Sequence, residues 1–167
     1  MKSSRVFFRY LAFSVEILLL WVLQSTPKLM PEFFGAKPFL LLAAALSFSV
    51  CCEVSPSVIL GAVCGVLADI SSGGTVGFFS VAVTLVCFAQ ATLLDIYINR
   101  NFLSCSVLSI GSTAAVIFIY FLLFRLFAGM PDCGALFFGR YLPRAAYTAL
   151  TFSPLYLLNS FVPRKLS

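Results

Sequence analysis

Residues 55–98 read SPSVILGAVCGVLADISSGGTVGFFSVAVTLVCFAQATLLDIYI, and the only charged side chains among them are Asp69 and Asp95. A helix that crosses a bilayer needs about 20 predominantly apolar residues at a rise of about 1.5 Å each. The stretch divides into two spans at Ser71, Ser72, Gly73 and Gly74, where the glycines permit positive φ and break the helix. Ser55 followed by Pro56 is an N-cap and first-turn pair that opens the first span. Asn99, Arg100 and Asn101 close the second.

The same pattern continues outward in both directions. Spans are predicted over 6–24, 38–52, 56–70, 75–98, 102–128 and 140–162. Pro27, Lys28, Pro31, Glu32 and Lys37 mark the first loop, and 130–139, with Pro131, Asp132 and two glycines, the last. The second span is short and is expected to run steeply, and the fifth is long and is expected to tilt. Six spans use roughly 120 residues at about 20 each, which leaves only tails and short loops. The expected fold is an all-α membrane protein of about six transmembrane helices in one compact bundle, a single integral-membrane domain over 1–167 with no soluble domain.

Composition says the same. Of 167 residues, 61% are hydrophobic and 10% charged, against about a quarter charged in soluble domains. The absence of histidine removes the usual general base, proton shuttle and zinc ligand. A net charge of +5 spread over tails and loops forms no basic stripe for nucleic acid. The six cysteines, Cys51, Cys52, Cys64, Cys87, Cys105 and Cys133, sit mostly in apolar runs without metal or redox spacing and read as small buried hydrophobes. Lys2, Arg5 and Arg9 before an apolar stretch resemble a secretory signal, but no small-x-small cleavage site follows near 21–26, so a retained signal anchor is expected.

Six spans put both termini on one side. With that side cytoplasmic, the inner face collects Lys2, Arg5, Arg9, Arg100, Arg164 and Lys165, and the outer face Lys28, Lys37, Arg125, Arg140 and Arg144. The cluster of three beside the first span favours cytoplasmic termini.

Gly61, Gly65, Asp69, Gly73 and Gly77 recur every four residues. Small residues at that spacing let two helix backbones approach closely in lipid, so the face either packs the protein's own helices or docks a partner. Asp69 has two readings of its own: a functional carboxylate in the membrane, or a cap on the turn or on the next helix. Glu16 lies in mid-span, and Gln90 and Ser47 fall at similar depth. The three form a predicted buried polar layer, with Glu16 and Gln90 as partners. Asp69 and Asp95 fall at opposite ends of one hairpin and cannot flank one peptide bond, which removes an aspartyl intramembrane protease. A serine nucleophile has no base within the spans. A non-enzymatic role without cofactor or metal is expected.

The run from Gly61 through Gly65 and Asp69 to Gly73 and Gly77 resembles the central signature of the rod shape-determining MreD family, a Gly-x-x-x-Gly-Leu-x-x-Asp helix end leading into a glycine turn. Pro38-Phe-Leu-Leu-Leu42, Leu142-Pro-Arg-Ala-Ala-Tyr147 and Ser153-Pro-Leu-Tyr156 extend the likeness along nearly the whole chain. It departs at Ala62 and Val66, where the family more often carries Phe and Leu. The resemblance implies a scaffold subunit of the bacterial cell-elongation machinery in the cytoplasmic membrane. Such a subunit binds MreC and, indirectly, MreB, RodA and a class B penicillin-binding protein, with the glycine and aspartate face as the candidate contact.

Size and helix number are also similar to those of the substrate-binding membrane subunits of energy-coupling-factor vitamin transporters. Those subunits commonly carry an Ala-x-x-x-Ala face on the first helix, whereas here Ala12 is followed at that spacing by Glu16.

Overall fold

The computed structural model describes residues 2–26, 39–72, 77–96, 102–126 and 141–166, and these are helical almost throughout. The elements are α1 (Lys2–Ser25), α2 (Leu40–Cys51), α3 (Val54–Ser72), α4 (Phe78–Ile96), α5 (Phe102–Phe121), which continues into a π-helical turn over Leu122–Leu126, and α6 (Leu142–Leu166). The predicted loops over 27–37, 99–101 and 130–139, and the break at Gly73 and Gly74, lie outside the described residues.

The sequence of α2, LLLAAALSFSVC, has no polar stripe, and a helix that is apolar all round belongs in an interior. Every residue from Leu40 to Val50 is buried, and α2 packs against each of the other five helices. Ala43, Ala44 and Ala45, all fully buried, keep its middle narrow enough for neighbours to close in from every side. Phe13 of α1 meets Phe48 at 4.9 Å between ring centroids, and the Cys87 thiol of α4 donates to the Ala45 carbonyl at 3.5 Å.

Burial raises the question of where the α2 backbone ends find partners, because the first amides of a helix have none within it. Neighbouring helices supply them. The Leu41 N–H donates to Gln24 Oε1 at the end of α1, and the Phe39 N–H to Thr148 Oγ1 near the start of α6, both at 3.1 Å. These contacts fix the directions: α1 runs against α2, and α6 runs with it. Ser25 beside Ser71, Phe39 beside Phe79, and Phe79 on Tyr120 at the end of α5 extend the alternation, so that α1, α3 and α5 run one way and α2, α4 and α6 the other.

Three helical segments are long and apolar enough to cross a membrane: Val54–Ser72, Phe78–Ile96 and Leu103–Phe124. Their outward faces are large and apolar, as with Ile59, Val63, Val66 and Ile70 along α3, which are 45% to 66% exposed. A continuous surface of that kind suits hydrocarbon and not water, so the chain is an all-α bundle of membrane type. Two expectations change in detail. The second span is only the 12 residues of α2, about 18 Å at the helical rise against about 30 Å of hydrocarbon. The other five helices enclose it along that length. The start of α3 also moves forward: Ser57 N–H bonds the Glu53 carbonyl at 3.1 Å, so Ser55 and Pro56 lie inside the first turn and Ser55 is not the cap. Proline is accepted there because a first-turn N–H has no helical partner to lose.

A larger residue at the centre of α2 has no direction in which to expand. Ala44→Leu is expected to cost about 1–3 kcal/mol through overpacking. Ile59→Leu on the outward face of α3 should be neutral, and thermal unfolding in detergent distinguishes the two.

Candidate functional site

Gly65 sits where α3 crosses the first turn of α4. A Cβ added there would lie 2.6 Å from Ser80 Cα and 2.8 Å from the Phe79 carbonyl oxygen, both rigid backbone atoms. One turn back, a Cβ on Gly61 would meet Cys87 Sγ at 2.9 Å. The pair is therefore occupied by close packing of α3 on α4 within this chain, which leaves no room for another protein between these two glycines and α4. Of the two readings the sequence left open, internal packing is the one observed.

Asp69 continues that face to the point where α4 begins. Its Oδ1 accepts the Phe79 N–H at 3.0 Å and its Oδ2 the Ser80 N–H at 2.9 Å. Both carboxylate oxygens thus serve orphan amides of the α4 first turn, at the positive end of that helix dipole. The residue caps the fourth helix across the turn. Gly77 makes the turn possible: its φ is +91°, a conformation L side chains rarely adopt, and its carbonyl accepts the first helical bond from Val81 at 3.2 Å. Gly73 lies outside the described residues.

The predicted polar layer resolves into two separate links. Asn159 of α6 donates from Nδ2 to Ser47 Oγ at 2.6 Å and to Glu16 Oε1 at 3.2 Å, which ties α1, α2 and α6 together. Gln90 does not reach Glu16. It donates from Nε2 to Ser109 Oγ of α5 at 2.8 Å. The reason is topological: α1 packs on α2, α3 and α6 while α4 packs on α2, α3 and α5, so α2 and α3 stand between the two residues. Both links lie in the half of the bundle that holds the start of α1 and the end of α6. Asn159, which the sequence reading passed over, carried the same mark as Gln90, a primary amide within an apolar run.

A second unanticipated feature lies at the opposite end. Phe39, Phe79, Ile117, Tyr120, Tyr141 and Arg144 line a small, largely apolar pocket with room for about one water molecule. Phe79 stacks on Tyr120 at 5.3 Å, and Phe39 lies 4.7 Å from Phe79. The Arg144 guanidinium carbon stands 4.1 Å over the centre of the Phe39 ring. Its Nε is buried with no hydrogen-bond partner among the described residues. A cation over a ring gains about 0.5–2 kcal/mol. The sequence showed Arg144 only as one of the charges on the outer side.

No protein-family model matches the chain, and no curated protein or solved structure matches it at a significant level.

Two sets of variants test these assignments. Asp69→Ala removes both acceptors and is expected to cost about 2 kcal/mol or more, with Asp69→Asn keeping part of the cap. Gly65→Ala forces α3 and α4 apart and should lower unfolding stability at least as much. A double-mutant cycle on Glu16 and Asn159 should give a coupling of about 0.5–3 kcal/mol, and the same cycle on Glu16 and Gln90 a value near zero.

Proposed function

We propose that this chain is a non-enzymatic scaffold subunit of the bacterial cell-elongation machinery, an MreD-like protein of the cytoplasmic membrane that binds MreC. Through MreC it would help couple MreB filaments to the RodA glycosyltransferase and its class B penicillin-binding transpeptidase. The observation that supports this most is the use made of the signature residues. Gly61, Gly65 and Asp69 are spent on one locked hairpin, so their recurrence has a mechanical purpose that requires no reaction at this site.

That hairpin also moves the candidate partner surface. With the glycine face closed, the partner meets the opposite side of α3, where Ile59, Val63, Val66 and Ile70 form an outward apolar stripe. Association there depends on shape and dispersion, as expected between helices in lipid. In this reading the termini are cytoplasmic, on the charge cluster of Lys2, Arg5 and Arg9, and the end of the bundle with the Asp69 cap faces outward.

The test is affinity purification of the tagged chain from gently solubilised native membranes. Wild type is expected to recover MreC with wall-synthesis enzymes. The triple variant Ile59→Ala, Val63→Ala, Val66→Ala should lose most of that recovery at unchanged abundance, whereas Asp69→Asn should lower abundance and recovery together. Recovery of an ATP-binding transducer pair in place of MreC would overturn the scaffold assignment and favour a substrate-binding subunit of an energy-coupling-factor type transporter.

A further inference from the structure

We draw no further inference here: the strongest candidate, the side-chain cluster of Glu16, Ser47 and Asn159 between α1, α2 and α6, where Asn159 Oδ1 is buried without a hydrogen-bond partner, belongs to the polar link already described, and nothing in the structure shows what else would occupy it.

Discussion

Everything else in the bundle is arranged around a helix with no free side. With neither water nor lipid at its surface, α2 has to be narrow in its middle and has to obtain partners for its terminal amides from other helices. Ala43, Ala44 and Ala45 meet the first demand, and Gln24 and Thr148 the second. In a medium without competing water an unmet amide costs several kcal/mol, so these two contacts tie the end of α1 and the early part of α6 to the start of α2. The ring of five helices is thereby closed around the sixth.

The α3–α4 hairpin applies the same rule at the bundle surface. An amide pair at the start of α4 is met by Asp69 from the preceding helix, and the approach that lets the carboxylate reach is permitted by the missing side chain at Gly65. The cap and the glycine depend on each other. A side chain at Gly65 would carry Asp69 away from the amides, and without the cap the close crossing would leave polar groups unmet in apolar surroundings. A structural unit this tightly determined leaves the apolar stripe on the far side of α3 as the part of the hairpin still open to the surroundings.

The fold class was legible because membrane spans announce themselves by length and lack of charge, as in 55–98, where only two charged residues interrupt more than forty positions. The candidate site was legible in part. A carboxylate eight residues after Gly61 and four after Gly65 is on one helical face by periodicity alone, so the face could be named while its occupant could not. Pairing was beyond reach. Glu16 and Gln90 share a depth, but depth says nothing about which helices are neighbours, and α2 and α3 stand between their helices. Arg144 escaped notice because a basic residue near a span end is ordinary, and only three-dimensional packing reveals that its guanidinium lies over the Phe39 ring. The enclosure of the short second span was out of reach for a related reason: hydropathy measures how apolar a helix is, not whether lipid or protein surrounds it.

The Thr148 contact has a consequence for how the chain is made. Helices enter a membrane in the order of their synthesis, and Phe39 waits for a hydroxyl that lies 109 residues further along. Until α6 is inserted, the start of α2 must borrow water or a translocation partner to satisfy that amide. The start of α2, the second helix to be made, is thus completed only when the last helix is in place.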